Sequence, residues 1–423
     1  MNKVLTNFSR LAVCILLAAC TSETDSGLTD NPLSPPDGND LTYQEIQVNI
    51  KNQLSVATAG TKAIATADEN VIHSLDIYIF GSTTEDGVYS YQERFAYRDN
   101  PASLPAGATS IGLTTGNDGE RSQVFASLRI KKGLFIKIYT VANNPDLADP
   151  TGAIGTGDEI VAGGAKVMQA VDYVPLVLDN AGTTGTDIRS AGVPTERQFL
   201  TFHTRLLRPT QTTDVIETPL PMTGAYTTPI DLTDYSINAR LTAGFKLTRA
   251  VARFDVINDA EKSRFTIENI SMTNGRRGAN CFPIIPYKSE PAFDPVTDLI
   301  TYPVRAISAN TQQKEDPNAL PPTTSRTNGA FYTWPSPTTD EGNIILQGTY
   351  RVNLTDPPKP VTYFIPFRQI SDDTGAYLEI NPNHRYTIAI TKADEYHIDF
   401  NIRVADWEDA EDIDGFEPVE PTP

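Results

Sequence analysis

The chain has 423 residues, with 34 Lys and Arg against 53 Asp and Glu, which gives a formal net charge of −19. Nucleic acids and anionic membrane surfaces repel so acidic a chain, so we exclude both as partners. Hydrophobic residues make up 39% of the chain, which suits globular cores but not a multispanning membrane protein. The length predicts two or three domains, and the 31 prolines favour loop-rich β structure over long helices.

Residues 1–19 have the features of a signal peptide. Lys3 and Arg10 precede the apolar stretch Leu11–Ala19, which is shorter than the roughly 20 residues of a membrane span. The stretch ends in Leu17-Ala18-Ala19-Cys20, which resembles a bacterial lipobox. We therefore expect Cys20 to carry lipid and residues 20–41, rich in Ser, Thr, Asp and Pro, to form a flexible tether. The alternative is an ordinary secretory signal that happens to end near a cysteine.

The first predicted strand follows the tether. Apolar residues occupy even positions with mostly polar residues between them, a pattern typical of a half-buried strand: Ile46, Val48, Ile50, Leu54 and Val56. A stretch of small residues containing Lys62 breaks the pattern, which resumes in Ser74–Phe80 and again in Leu134–Val141. Between Asp158 and Ala170 the sequence predicts one short helix.

The second half of the chain alternates more clearly. The predicted strands carry Phe254 and Val256; Phe265 and Ile267; Tyr350, Val352 and Leu354; Val361, Tyr363 and Ile365; Tyr386, Ile388 and Ile390; and Tyr396, Ile398, Phe400, Ile402 and Val404 on one face. Residues 291–337, rich in Pro, Thr, Asn and Ser, predict a long surface excursion. We therefore predict an all-β protein with sandwich-like domains at 42–238 and 239–407 and an acidic tail at 408–423.

The sequence gives little support for catalysis, and we predict neither an enzyme nor a bound cofactor. The histidines lie far apart, at His73, His203, His384 and His397, without metal-ligand spacing. Cys281 has no partner at CxxC spacing, which favours a buried structural cysteine. Asp399 and Asp406 lie near a strand end, where calcium binding and simple solvation are both open.

Several separate segments carry a family resemblance. They are Lys62 followed by Glu69–Phe80; Ile138–Asn143; Leu220-Pro221-Met222-Thr223-Gly224; Leu247–Val256; and the end of the chain from Asn383-His384-Arg385-Tyr386 through Val404-Ala405-Asp406-Trp407. In this order, behind a lipobox, they resemble the fimbrillin superfamily of the Bacteroidetes, the subunits of type V pili. The resemblance spans most of the mature chain and implies two transthyretin-like β-sandwiches in tandem.

The resemblance also implies assembly by strand exchange. In the family, a protease removes the lipidated N-terminal segment together with the first strand, and a donor strand from another subunit fills the groove. By this analogy Ile46–Val56 is the removable strand and Lys62 is the candidate maturation site, although the family usually has an arginine there. Arg94 and Arg98 lie beyond the first retained strand, so cleavage there would damage the domain. The alternative is that Ile46–Val56 forms a permanent edge strand.

The tail points to a position in the fimbrium. Glu408–Pro423 is acidic and contains prolines, which makes it a poor donor strand. Tip subunits of the family lack a donor extension, so the resemblance implies a tip or accessory adhesin, with other fimbrial subunits, the outer membrane and surface ligands as partners. The alternative function is a non-polymerising surface lipoprotein that binds glycans through Tyr332 and Trp334, unless these aromatic residues pack the second domain.

Overall fold

The computed structural model describes residues 42–52, 67–105, 108–115, 123–143, 148–149, 166–167, 195–200, 202–204, 207, 214–235, 241–282, 299–307, 325–353, 355–368 and 375–407. Several predictions lie outside these residues: the signal peptide, lipidation of Cys20, the tether, Leu54, Val56, Lys62, the acidic tail and most of the helix at 158–170.

The described chain is all-β, as predicted. Its strands are β1 Tyr43–Asn52, β2 Ser74–Ser82, β3 Ser90–Arg98, β4 Thr109–Ser110, β5 Thr114–Thr115, β6 Gln123–Lys131, β7 Phe135–Ala142, β8 Ala148–Asp149, β9 Lys166–Val167, β10 Met222–Asp231, β11 Leu241–Arg249, β12 Ala252–Asn258, β13 Phe265–Thr273, β14 Gly275–Arg276, β15 Leu299–Ile300, β16 Arg305–Ala306, β17 Ser325–Thr333, β18 Asn343–Tyr350, β19 Lys359–Pro366, β20 His384–Ala393 and β21 Ile398–Asp406. The helices are single turns: α1 Ala67–Asn70, α2 Glu196–Phe199, α3 Ala260–Ser263 and 3₁₀ turns at Pro101–Ser103 and Thr338–Asp340.

The first sandwich is one sheet folded into two layers. Its strand order is β4-β3-β2-β7-β10-β11-β1-β6-β5. In the described chain, β10 and β11 pair at Met222 and Thr223, opposite Arg249 and Thr248, and this short contact joins the two layers. Aliphatic side chains from both layers form one buried cluster, because alternate residues of each strand point inward.

The second sandwich consists of two four-stranded sheets. Their strand orders are β17-β12-β20-β21 and β16-β13-β18-β19. Phe254 lies at the centre of the shared core and stacks on Phe331 at a centroid distance of 4.4 Å and on Tyr386 at 5.2 Å. The predicted strands at 254–256, 265–267, 361–365 and 386–390 are confirmed.

The predicted boundary at residue 239 stays a prediction, but β11 shows where the chain changes sandwich. β11 pairs with β1 in the first sandwich, whereas β12 pairs with β17 and β20 in the second. The chain therefore passes from one to the other at Ala250 and Val251, both of which are buried.

Two strand predictions in the second sandwich are partly wrong. β21 begins at Ile398, so Tyr396 lies in the preceding turn and is 88% exposed, and Val404 is 45% exposed on this edge strand. β18 ends at Tyr350, so Val352 lies in the following turn and is exposed. In both cases the alternation of apolar and polar residues extends beyond the residues that form the strand.

The predicted surface excursion at 291–337 is wrong for its last part. Residues 325–333 form β17, which pairs with β12 along the edge of a sheet. A composition rich in Thr, Asn and Ser is compatible with an edge strand. The backbone N–H and C=O groups of such a strand form hydrogen bonds with a neighbouring strand on one side and with water on the other.

Within the described residues, no helix has the length and hydrophobicity needed to cross a membrane. The same part of the chain brings together no group of three or more metal-ligating side chains.

Candidate functional site

Strand β1 is a central strand of the first sandwich. It pairs in parallel with β11, from Ile46 opposite Leu241 to Asn52 opposite Leu247. On its other side it pairs antiparallel with β6, from Tyr43 opposite Lys131 to Lys51 opposite Gln123. The alternative was a permanent edge strand, and its edge position is wrong for residues 43–52, because β1 has a neighbour on both sides. That the strand is removable rather than permanent stays a prediction.

The two faces of β1 differ as the alternating sequence predicts. Ile46, Val48 and Ile50 are 0% exposed and belong to the apolar core of the first sandwich. On the opposite face, Ser127 Oγ donates a hydrogen bond of 2.6 Å to Glu45 Oε1, and Gln123 Nε2 donates one of 3.0 Å to Asn49 Oδ1. β1 is therefore bound by its backbone, by an inner apolar row and by an outer polar row.

The side chains beside the inner row vary in size along the strand. Ile46 has Leu241 on one side and Leu128 on the other. Val48 instead has Ala243 and Ala126 as its cross-strand neighbours. The residues that flank β1 on this face are therefore smaller at Val48 than at Ile46.

The strands that form the groove depend on β1 for most of their pairing. Among the described residues, β11 pairs on its far side with β10 at two positions. In the same part of the chain, β6 pairs on its far side with β5 at Thr114 and Thr115. Removal of β1 would therefore leave two rows of unpaired backbone groups around an apolar slot, an arrangement that favours the entry of another strand.

The segment that joins β1 to the next described element spans residues 53–66, and Lys62 is its only charged residue. α1 then begins at Ala67, and β2 begins at Ser74 in the opposite layer. A protease specific for basic residues thus has one target between β1 and α1.

The two arginines downstream are buried. Arg94 Nη2 lies 2.9 Å from Asp76 Oδ1, and Arg98 Nη2 lies 2.8 Å from Asp76 Oδ2. Burial acts to lower the pKa of Arg94, but Tyr78 and Asp76 outweigh it, so the pKa lies above its ordinary value and the guanidinium is charged. A protease would have to unfold the β2–β3 pair to reach either residue.

Two groups considered for chemistry from the sequence have structural roles. Cys281 is buried, as predicted, and forms no disulfide within the described residues, and burial raises the pKa of its thiol well above the ordinary value. It is therefore a thiol rather than a reactive thiolate at neutral pH. His73 and His397 are exposed and pair with Asp99 and Asp399.

The aromatic residues suggested for glycan binding are not exposed. Tyr332 is 7% exposed and Trp334 is 5% exposed, and both belong to the core of the second sandwich. The Tyr332 hydroxyl donates a hydrogen bond of 2.7 Å to Glu69 Oε1. The other interpretation of these residues, that they pack the second domain, is confirmed.

Comparisons with known proteins gave matches among solved structures only. No family model matches the chain, and no curated protein matches it. The tip fimbrial protein Mfa3 of Porphyromonas gingivalis, with a C-terminal truncation, is 15% identical with a TM-score of 0.43, covering 86% of this chain and 100% of that one. A proposed cell adhesion protein of Parabacteroides distasonis is 13% identical with a TM-score of 0.44, covering 86% and 97%. The fimbrial anchor protein Mfa2 of P. gingivalis is 12% identical with a TM-score of 0.33, covering 86% and 98%.

The chain is thus similar to solved fimbrial and adhesion proteins of the Bacteroidetes. Identities of this size do not assign a shared activity. The geometry of β1 is a separate observation, made on this chain alone.

Proposed function

We propose that this protein is a subunit of a cell-surface fimbrium, in which β1 is a removable strand that a donor strand from another subunit replaces. The observation that carries the proposal is the central position of β1, a short N-terminal strand held between two strands that have little other pairing. The motifs that resemble the fimbrillin superfamily support the same function.

The energetics favour replacement of the strand over an empty groove. Burial of one Ile or Val side chain contributes about 1.5–3 kcal/mol, and Ile46, Val48 and Ile50 are all fully buried. Loss of the strand also leaves the facing backbone groups of β6 and β11 without partners. A cleaved protein therefore keeps β1 docked until a competing strand with apolar residues at alternate positions displaces it.

Maturation begins at Lys62 in this proposal. The precursor is held at the outer membrane by lipid on Cys20, and cleavage after Lys62 separates the lipidated segment and β1 from the rest of the chain. Lysine in place of the family's arginine calls for a protease that accepts lysine. If no such protease acts, the subunit stays uncut and serves as an anchor.

We infer a tip or accessory adhesin position from the acidic tail. Glu408–Pro423 carries seven acidic residues and no basic ones, so it would insert poorly between β6 and β11 of another copy. This tail would therefore be a poor donor strand, whereas the groove between β6 and β11 would accept one. The alternative of a non-polymerising glycan-binding lipoprotein loses its main support, since Tyr332 and Trp334 are buried.

The test compares intact and cleaved protein in their uptake of a labelled peptide with the sequence of residues 43–52. We expect cleaved protein to exchange its own β1 for the peptide and intact protein to take up none, because the covalent link holds β1 in place. A matched control peptide carries Asp at the positions of Ile46 and Val48 and should not bind. Equal uptake by the two forms would contradict the proposal.

A further inference from the structure

We propose that Asn70 and Arg249 are positioning residues that hold strand β11 in place when β1 is absent, so that the groove stays ready for an incoming strand. This inference rests on the proposed strand exchange and names the contacts that preserve its acceptor site. Both residues lie outside the groove itself: Asn70 is the last residue of α1, and Arg249 is the last residue of β11.

β11 is one of the two walls of the groove, and β1 supplies most of its described pairing. Its residues Leu241–Leu247 pair with β1 on one side. The described pairing on its other side is limited to Thr248 and Arg249, opposite Thr223 and Met222. Once β1 leaves, Leu241–Leu247 lose their described ladder, and the described backbone pairing that remains for β11 lies at its last two residues.

Arg249 is held by several partners at this end. Its side chain is buried, and the guanidinium donates hydrogen bonds to Asn70 Oδ1 and, at 3.1 Å, to Asn383 Oδ1. The guanidinium carbon also lies 4.6 Å from the centroid of the Trp407 ring. These partners come from α1, from the turn before β20 and from the end of β21, so the end of β11 is attached to the second sandwich.

Glu69, next to Asn70, fixes α1 in the same region. Its carboxylate is fully buried, with Oε2 2.8 Å from Arg253 Nη1 and Oε1 accepting from the Tyr332 hydroxyl. Burial acts to lower the pKa of Arg253, but the carboxylates of Asp255 and Glu69 outweigh it and raise the pKa, so the guanidinium stays charged. α1 is thus anchored by a buried charge network that does not involve β1.

The position of α1 in the chain gives this network its role. α1 follows the segment that joins it to β1, so cleavage within residues 53–66 leaves α1 in the retained part of the protein. Asn70 then presents a fixed acceptor to Arg249 whether or not β1 is present. The second sandwich thereby holds the end of β11 in position until a donor strand binds.

The experiment compares the native protein with Asn70→Ala, with Asn70→Asp, which keeps an acceptor for Arg249, and with Asp68→Asn. Asp68 is an exposed acidic residue on the same turn and serves as the matched control. Each protein is cleaved between β1 and α1, β1 is released in mild denaturant and removed, and amide hydrogen exchange is measured in Leu241–Leu247. Uptake of the labelled 43–52 peptide is measured in parallel.

We expect Asn70→Ala to raise the rate of amide exchange in Leu241–Leu247 about tenfold and to slow peptide uptake about tenfold. A tenfold change corresponds to about 1.4 kcal/mol, which is close to the free energy that one hydrogen bond to a charged group contributes. Asn70→Asp should restore both, and Asp68→Asn should change neither. Intact Asn70→Ala, in which β1 still pairs with β11, should show native exchange, which also confirms that the variant folds. The inference is overturned if exchange in Leu241–Leu247 does not change, or if it rises equally in β2 and β7. If the native groove takes up no peptide but exchange in β11 still depends on Asn70, the proposed function fails and the positioning role stands.

Discussion

Arg94 Nη2 and Asp76 Oδ1 lie 2.9 Å apart on the face of β2 and β3 opposite the sandwich core, with 2% and 1% of their side chains exposed. Arg98 binds the second oxygen of the same carboxylate, so a single buried acid on β2 is paired with two arginines of β3. This cluster ties β3 to β2, the strand that becomes the first of the mature chain in the proposed function.

Loss of the Asp76 carboxylate should therefore destabilise the protein strongly. Asp76→Ala leaves two buried guanidinium groups without their counter-ion, for which we expect a loss of about 3–5 kcal/mol in the free energy of unfolding. Urea denaturation followed by circular dichroism gives the value. As a control, Asp399→Ala removes an exposed pair with His397 and should change the free energy by less than about 1 kcal/mol. Similar losses in both variants would show that the buried cluster has no special role.

The inner row of β1 should contribute far more to stability than the outer row. Ile46→Ala removes a fully buried side chain, and we expect a loss of about 2–5 kcal/mol. Gln47 is its neighbour on the opposite face, and Gln47→Ala should stay within about 0.5 kcal/mol. Thermal and urea unfolding of the uncleaved protein measure both. Equal effects would mean that β1 is not part of the core.

Cleavage by a lysine-specific protease should occur first after Lys62. We expect mass spectrometry of the large fragment to give Ala63 as its first residue, and Lys62→Ala to abolish this early product. A protease specific for arginine should leave the native protein uncut at Arg94 and Arg98, because both side chains are buried against Asp76. Early cutting at either arginine would contradict this arrangement.

Stability should depend on pH through Glu93. Burial raises the pKa of its carboxyl to about 7, from 4.5 in the unfolded chain. Between these pH values the Glu93 carboxyl binds more protons in the folded protein than in the unfolded chain. The contribution of Glu93 to the free energy of unfolding therefore falls as pH rises from about 4.5 to about 7, and it is constant above about pH 7.

Glu93→Gln should remove this dependence and stabilise the protein at pH 8 by at most about 3 kcal/mol. Urea denaturation at pH 5 and pH 8 measures the difference between variant and native protein. Glu268 is exposed on β13, and Glu268→Gln serves as the control for the Glu-to-Gln substitution itself. If the Glu93→Gln protein kept the native pH dependence, Glu93 would not be its source.

Lipidation of Cys20 is tested in cells of the producing organism or a host with the lipoprotein pathway. We expect a radioactive fatty acid to label the native precursor and not Cys20→Ala. Cys281→Ala is the control and should label normally, since Cys281 is buried in the fold. Labelling of Cys20→Ala would favour the ordinary secretory signal.

The sequence by itself determined several of the strands and the faces that they bury. The alternation in Ser74–Phe80 and Leu134–Val141 corresponds to β2 and β7, since side chains of an extended chain point alternately to either side regardless of what lies beside it. The same local rule identified the apolar face of β1 at Ile46, Val48 and Ile50. The resemblance to fimbrillins likewise depends on short local motifs in order.

The tertiary structure alone decided which strands are neighbours. Alternation gives a strand an inner face but no partner, so the sequence left open whether β1 was an edge, and the pairing with β6 and the distant β11 resolved it. For the same reason, the exposure of Tyr332 and Trp334 could not be read from their own segment, because it depends on β12 and on Glu69. The contact of Asn70 with Arg249 joins residues far apart in the chain, and only the folded arrangement of the two sandwiches brings them together.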